Sequence, residues 1–386
     1  MDSPLRERAL LPVGLHDLLP PEAEREATLV ERAMGVFGAH GYERVKPPLI
    51  EFEESLVLGM GRPWARQTFR LLDPESQRMM GVRADMTLQV ARIASSRLAN
   101  APRPLRLCYA GEVLRVGGGK LSSSRQLRQI GCELIGSMDA AADAEIVLLG
   151  ARALGALGVV GLSIDLNLPT MVPAIFGAHG VIGAVEQRLA TALSHRDAAA
   201  VSKEPEIGGL LASLLDVAGP AARAIDRLSG LELPASAEPD RARLIETVRR
   251  IREAEPKLTL TVDPVERQGF EYQTGLSFTI FAKGARRELG RGGRYRIGAS
   301  DAAPGEPAIG FSLFADSVVA AAPVGSAPRR VYVPTERPPV DAERLRESGW
   351  ITIVGLAPTA DPESEARRLG CGHLLRTGSG EPESIG

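Results

Sequence analysis

The sequence predicts an α+β protein in which an antiparallel sheet is flanked by helices and followed by a small C-terminal α/β unit. Residues 21–40 place apolar side chains on one helical face, and Gly41 ends that helix. Residues 105–115 and 125–136 read as strands joined by a Gly- and Ser-rich loop, which is typical of an antiparallel pair. Residues 330–380 alternate strand, helix, strand, helix and strand.

The rest of the chain divides around these elements. Residues 175–255 are rich in Ala, Leu, Glu and Arg, so we expect a helical insertion there. Further strands are expected at 258–262, 276–282 and 287–295. Residues 318–329 have the composition of a linker, which places a core domain at 1–320 and a small α/β domain at 330–380. The final nine residues, GSGEPESIG, are expected to be frayed.

The segment YERVKPPLIEF, at residues 42–52, is predicted to be a strand that contains Pro47 and Pro48. Proline has no backbone N–H and cannot donate to a sheet ladder. We therefore expect this strand at a sheet edge or at an interface.

Bulk composition narrows the class of protein. The chain has 386 residues with 44% hydrophobic and 24% charged residues, as in globular proteins of two or three domains. Its net charge of −2 is not the strongly basic charge of a dedicated nucleic-acid binder, so we do not expect tRNA as a partner. The apolar tract at 148–164 is broken by Arg152 and is too short to cross a membrane.

The three cysteines have no metal-ligand spacing. They are Cys108, Cys132 and Cys371. Reduced thiols of this kind, with no signal peptide at the N-terminus, favour a cytoplasmic location. We expect no bound metal and no cofactor.

The second strand of the predicted pair carries Gln129, Gly131 and Glu133 on one face, alternating with apolar residues. This pattern indicates a sheet that presents polar groups to a ligand over an open floor. The preceding loop, residues 117–120, reads GGGK. It is consistent with phosphate binding, although a flexible hairpin loop is the simpler interpretation.

Seven segments, in family order over about residues 10–320, resemble histidyl-tRNA synthetases of the class II aminoacyl-tRNA synthetase fold. They are GLHDLLPPEA, GYERVKPPLIE, GVRADMTLQVAR, the pair LR and RQLRQIGCE, QGFEYQTG, GGRY and IGFSLFADS. The family writes the fifth as RGLDYYTG and the last as GFALGIER. The resemblance places Pro48 at a dimer interface and implies a homodimeric core.

The departures from the family pattern fall on the ATP side. Ser317 stands where the last motif has an arginine, and Gln268 where an arginine precedes GLDYY. Gly117 replaces an acid that follows the ATP-binding arginine, which survives as Arg115. Removing one preorganised donor to a transition state costs about 10²–10³ in rate. We therefore expect no synthetase activity and no catalytic residues.

The amino-acid side matches the family better. The resemblance assigns a candidate histidine site to Asp85, Thr87, Arg115, Gln129, Glu133, Glu271, Tyr272 and Tyr295. Asp85 and Thr87 correspond to contacts of the amino group, whereas Glu271, Tyr272 and Tyr295 correspond to the imidazole side. Gln273 replaces the second tyrosine of the family's pair, at the imidazole end of the site.

Single residues also have structural explanations. Arg115 and Glu133 are consistent with an ion pair, and Tyr272 and Tyr295 with plain sheet packing. Asp85 is consistent with capping of the helix that starts two residues later. These explanations apply to each residue alone and account poorly for a whole polar cluster beside a lost ATP site.

A synthetase-like fold with this pattern resembles the regulatory subunits of ATP phosphoribosyltransferase. The resemblance implies a non-catalytic subunit that the short catalytic subunit requires for activity, in a hetero-octamer, and that mediates feedback inhibition by histidine. The C-terminal domain resembles a shortened anticodon-binding domain, interpreted as a remnant or a subunit contact. Two alternatives stay open: an active histidyl-tRNA synthetase or stand-alone adenylating ligase, and a tRNA-binding sensor or scaffold.

Overall fold

A computed structural model describes residues 10–57, 67–117, 124–267, 273–298, 304–325 and 328–385. The chain separates into two compact units, Met1–Ala322 and Pro323–Gly386. Within the described residues, none of the helices has the length and apolar character that a membrane span requires.

The first unit is built on a large, mainly antiparallel sheet. Its described strands are β1 (Glu43–Arg44), β2 (Ile50–Phe52), β3 (Phe69–Leu72), β4 (Met79–Val82), β5 (Leu105–Leu114), β6 (Gln126–Ile135), β7 (Leu162–Asn167), β8 (Gly219–Pro220), β9 (Thr259–Asp263), β10 (Ser277–Ala282), β11 (Gly290–Ile297) and β12 (Glu306–Phe314). Nine of them form one sheet in the order β1-β5-β6-β12-β11-β10-β7-β9-β8. Only the β1–β5 and β7–β9 pairs of the described sheet are parallel.

Helices cover this sheet and fill the predicted insertion. They are α1 (Glu22–Ala39), α2 (Glu53–Val57), α3 (Thr87–Ser96), α4 (Ala140–Ala156), α5 (Met171–Ala178), α6 (Gly183–Ser194), α7 (Ala198–Val201), α8 (Gly208–Val217), α9 (Ala221–Ser229), α10 (Glu238–Ala254) and α11 (Ala315–Ala321). Helices α5 to α10 lie between β7 and β9 in the chain, which confirms helical structure across the predicted insertion.

The apolar face of β6 packs into the main core, as its alternation predicts. Ile130, Cys132 and Leu134 are buried together with the apolar faces of α1 and α4. Phe37 of α1 meets Phe311 of β12 edge to face, with ring centroids 5.7 Å apart. The opposite face of β6 is thereby left for the polar residues.

The proline-containing segment is two strands and not one. Glu43–Arg44 forms β1 at an edge of the large sheet, where it pairs with β5. Ile50–Phe52 forms β2 at the edge of a separate three-stranded sheet, in the order β2-β4-β3. The prediction of an edge position is confirmed, whereas the prediction of one continuous strand is wrong. Two successive residues without N–H groups interrupt the ladder between the strands.

The second unit alternates strands and helices as predicted. Its elements are β13 (Arg330–Val333), α12 (Pro339–Glu347), β14 (Ile351–Val354), α13 (Pro362–Arg368), β15 (His373–Leu374) and β16 (Glu383–Ser384). Its sheet has the order β14-β13-β15-β16. The expectation of a frayed tail is wrong, because β16 pairs antiparallel with β15 and Ile385 is buried in this unit's core.

Replacing Phe37 by Ala should remove the ring that joins α1 to the sheet. Truncating a buried Phe typically lowers the free energy of unfolding by about 3–5 kcal/mol. Val160→Ala is the control, since Val160 is 79% exposed and its loss should change stability by less than about 0.5 kcal/mol. Urea unfolding of both variants measures this, and equal effects would contradict the packing described for α1.

Candidate functional site

The register of the sheet brings the candidate polar residues to one face. Tyr109 on β5 lies opposite Gly131 on β6, which lies opposite Ser312 on β12. In the adjacent row, Glu133 on β6 lies opposite Gly310 on β12. Directly opposed residues share a face of a sheet, so these side chains meet above the glycines.

Glu133 is the centre of this face and is only 1% exposed. Its Oε1 accepts a hydrogen bond from the Tyr109 hydroxyl at 3.0 Å, and its Oε2 accepts one from the Tyr295 hydroxyl at 2.9 Å. A Cβ at Gly310 would overlap the carboxylate, so the glycine provides its space. Because both oxygens are satisfied by tyrosines, no structural ion pair with Arg115 is needed to hold Glu133.

Burial dominates the protonation of Glu133. It raises the pKa of the carboxyl to about 8, and the nearby charge of Asp85 pushes the pKa in the same direction. Hydrogen bonds from tyrosines oppose the rise without cancelling it. The site therefore holds a carboxyl group that exchanges its proton near neutral pH.

Gln129 is held in one orientation by three hydrogen bonds. Its Nε2 donates to Asp85 Oδ2 at 3.0 Å and to Ser312 Oγ at 2.6 Å. Its Oε1 accepts from the backbone N–H of Met86 at 2.9 Å. Both amide protons are used inside the protein, so Gln129 offers a ligand its oxygen and not its nitrogen.

Asp85 combines the structural role with a place at the site. Its Oδ1 accepts from the backbone N–H of Thr87 at 2.8 Å, although the N-cap position of α3 is Met86 and not Asp85. Its Oδ2 faces Gln129, and the Thr87 hydroxyl lies 3.1 Å from the phenol oxygen of Tyr109. The hydrogen bond with Thr87 therefore holds Asp85 beside the polar network.

Tyr109 and Ser312 complete the network, and sequence reasoning missed both. The Tyr109 phenol oxygen lies 3.1 Å from Ser312 Oγ, and a Cβ at Gly131 would lie 2.5 Å from that phenol oxygen. The prediction of open space above Gly131 is therefore wrong, because the Tyr109 side chain fills that space. The sequence signal for this contact was a tyrosine in one predicted strand opposite a glycine in the paired strand.

Three further candidate residues lie in the described part of the chain. Arg115 follows β5, where its Nε donates to the carbonyl of Ala84 at 3.3 Å. Gly117 is exposed, and a Cβ there would meet no atom within 4 Å, so packing does not demand a glycine. Ser317 lies buried on α11 and presents a hydroxyl where the family has a guanidinium.

Some predictions fall outside the described residues. The part of the chain that the structure leaves undescribed includes Glu271 and Tyr272 of the predicted imidazole side and Gln268 of the ATP side. Across the described ranges, no cluster of His, Cys, Asp and Glu has the geometry to hold a metal ion. The three cysteines are free and buried.

Replacing Glu133 by Gln should change how stability depends on pH. The folded-state pKa of about 8 exceeds the ordinary value of 4.5, so the folded wild type binds more protons between these limits. Glu133 therefore makes the wild type lose stability as pH rises from about 4.5 to about 8, and the Gln variant should lack this loss. Chemical unfolding at several pH values measures it.

Glu246→Gln is the matched control for that experiment. Its exposed carboxylate has a pKa lowered to about 2 by Arg249, so it contributes no titration between pH 4.5 and 8. The control should follow the wild type. Parallel curves for wild type and Glu133→Gln would show that the buried carboxyl does not titrate in this range.

Comparisons with known proteins identify the fold. Residues 14–318 match the family model described as histidyl-tRNA synthetase. A crystal structure of an ATP phosphoribosyltransferase regulatory subunit/histidyl-tRNA synthetase from Bacillus halodurans superposes with a TM-score of 0.79 at 24% identity, covering 93% of this chain and 96% of that one. Histidyl-tRNA synthetase from Nostoc sp. PCC 7120 gives 0.79 at 18% identity, over 96% and 92% of the two chains. The class II synthetase-like fold is confirmed.

Two relatives of higher identity narrow the family. The ATP phosphoribosyltransferase regulatory subunit of Rhodospirillum centenum is 56% identical over 374 residues, which cover 96% of this chain and 95% of that protein. The subunit of the same name from Paramagnetospirillum magneticum is 55% identical over 369 residues, covering 95% and 96%. The chain belongs to the histidyl-tRNA synthetase family and, within it, to the ATP phosphoribosyltransferase regulatory subunits.

Proposed function

We propose that this chain is the non-catalytic regulatory subunit of ATP phosphoribosyltransferase and senses histidine through the network around Glu133. One observation carries the proposal. On the amino-acid side, a continuous chain of hydrogen bonds runs from Asp85 through Gln129, Ser312 and Tyr109 to Glu133. The ATP side has lost its charged groups at Gly117 and Ser317.

Each part of histidine has a chemically suitable partner in this site. The α-ammonium group pairs with the Asp85 carboxylate and the Thr87 hydroxyl, and the α-carboxylate with the Arg115 guanidinium. The imidazole ring pairs with Glu133 beside Tyr295. Glu271 and Tyr272 remain part of the proposed site through the resemblance alone.

The same site should not adenylate an amino acid. That chemistry needs cations that stabilise a pentavalent phosphorus, and Ser317 supplies a hydroxyl in place of one of them. Histidine-dependent exchange of pyrophosphate into ATP should therefore be absent. Such exchange would support the rival interpretation as an active synthetase or ligase.

Regulation requires that histidine binding favours one of two states of the assembly. A coupling free energy of about 1–3 kcal/mol between effector and active site is typical of allosteric proteins.

We propose a hetero-octamer of short catalytic subunits around homodimers of this chain, acting in the cytoplasm. The core is residues 1–320, with its helical insertion at 175–255. The α/β domain at 330–380 serves as a subunit contact derived from an anticodon-binding domain.

Co-expression with the short catalytic chain tests the assembly. The two chains should co-purify, and phosphoribosyl transfer to ATP should rise above that of the catalytic chain alone. Histidine should inhibit the complex, and Glu133→Gln should raise the half-inhibiting concentration about tenfold or more, since it removes a charged partner. Glu246→Gln should leave inhibition unchanged. Two chains that never associate would overturn the proposal.

Binding of histidine should involve little net proton exchange near pH 7.3. At this pH the imidazole of free histidine is mainly neutral, and the Glu133 carboxyl, with its pKa of about 8, is mainly protonated. That proton moves from Glu133 to the ring nitrogen, which leaves a carboxylate and an imidazolium. Calorimetry in buffers with different ionisation enthalpies should give equal binding enthalpies at pH 7.3. Uptake or release of a full proton would contradict this account.

A further inference from the structure

The edge strand β14 of the second unit lacks the features that usually protect the edge of a sheet. In the order β14-β13-β15-β16, β14 has one neighbouring strand among the described residues. Residues 350–360, WITIVGLAPTA, contain no charged side chain, and Ile351 and Val354 are 43% and 40% exposed. Natural proteins protect an open edge with charged residues, proline, a bulge or a very short strand, because its unpaired N–H and C=O groups bind other strands.

The other edge strands of the described sheets are all protected. Each of them contains a charged residue or a proline, and they are β1, β2, β3, β8 and β16. Strand β16, at the opposite edge of the same sheet as β14, has two residues, and its Glu383 forms an ion pair with Arg376 at 2.8 Å. Within the described sheets, β14 alone is left as an edge to which another strand can bind.

The parallel register with β13 determines which backbone groups of β14 face outward. The N–H groups of Ile351 and Gly355 donate to carbonyls on the β13 side, at 3.0 and 2.8 Å. The N–H and C=O groups of successive residues alternate in direction along a strand. The N–H and C=O groups of Thr352 and Val354 therefore point away from β13, toward the open edge.

We propose that β14 of a second copy of this chain binds at this edge, antiparallel and two-fold symmetric, with Ile353 on the axis. This register places Thr352 of each copy opposite Val354 of the other. Directly opposed residues of this kind exchange both of their backbone hydrogen bonds, so the outward-facing groups satisfy one another. The strand is thus its own complement, as a two-fold interface requires. The two four-stranded sheets join into one.

The chemistry of the edge favours a second copy over a charged partner. Like charges directly opposite one another destabilise a strand pair, and an uncharged strand meets itself without that penalty. A charged segment of another protein would find no opposite charge on residues 350–360. Pairing also covers the exposed parts of Ile351 and Val354. The proposal rests on the proposed function only in its role in assembly, because it names the partner of the α/β domain as a subunit contact.

Val354→Pro tests the pairing, because proline removes the outward N–H that each copy donates to the other. Proline is tolerated on an edge strand when the missing N–H faces away from the sheet, so this unit should stay folded. In sedimentation equilibrium of the full chain, association between copies should weaken about tenfold or more, since two hydrogen bonds are lost. Val354→Thr keeps the N–H and the shape of the side chain and should associate as the wild type does.

Ile353→Cys tests the register and the identity of the partner. The axis sets position 353 of one copy beside position 353 of the other, with Cβ atoms about 4.5–5.5 Å apart. Oxidised glutathione should therefore link the variant chains in pairs, which electrophoresis without reductant measures. Ile351→Cys is the matched control, because Ile351 lies on the same face, is more exposed and meets Gly355 of the second copy. It should form far fewer pairs, as should the wild type, whose cysteines are buried.

The outcomes separate this proposal from the proposed function. Unchanged association in Val354→Pro, or equal linking of the two cysteine variants, would overturn the β14 contact. A Val354→Pro chain that associates with itself normally but no longer binds the short catalytic chain would also overturn it, since the edge would then bind that chain. If Val354→Pro does not fold, the comparison of the cysteine variants decides. A wild type that never binds the catalytic chain, while Val354→Pro still weakens self-association, would overturn the proposed function and leave the β14 contact standing.

Discussion

The buried carboxyl group of Glu133 is the constraint on which the site depends. A charge or a carboxyl group removed from water needs hydrogen-bond donors, and here Tyr109 and Tyr295 reach it from strands β5 and β11. Glu133 itself stands on β6, and Gly310 of β12 lies beneath it. Four neighbouring strands therefore meet at one functional group, and their register is coupled to its hydrogen bonds.

The proposed histidine site and the positions of the ATP side differ in how firmly the sheet holds them. Gln129 and Glu133 lie within β6, where both their faces are packed and their hydrogen bonds are shared. Gly117 and Ser317 lie after the ends of β5 and β12, in a loop start and a following helix. A change at Gly117 disturbs no neighbour, whereas a change at Glu133 would remove the acceptor to which two buried tyrosine hydroxyls donate. A change of side chain at Gly117, on the ATP side, therefore leaves the packing of the fold undisturbed.

Much of this architecture follows from local patterns in the sequence. The helix expected at 21–40 is α1, and the alternation of β6 correctly separated an apolar face from a polar one. Failures arose where a distant partner decides the structure. The pairing of β16 with β15 orders a tail of weak local propensity, and Tyr109 fills the space above Gly131 from another strand. Ser312 belongs to the site only because β12 pairs with β6.

The central claim is that Glu133 and its neighbours bind histidine as an imidazolium ion. Nuclear magnetic resonance of histidine labelled with ¹⁵N in the ring measures this directly, because the two nitrogen shifts distinguish a neutral tautomer from the protonated ring. At pH 7.5, where free histidine is mainly neutral, the bound ligand should show two protonated nitrogens. A bound neutral tautomer, with one nitrogen unprotonated, would contradict the account.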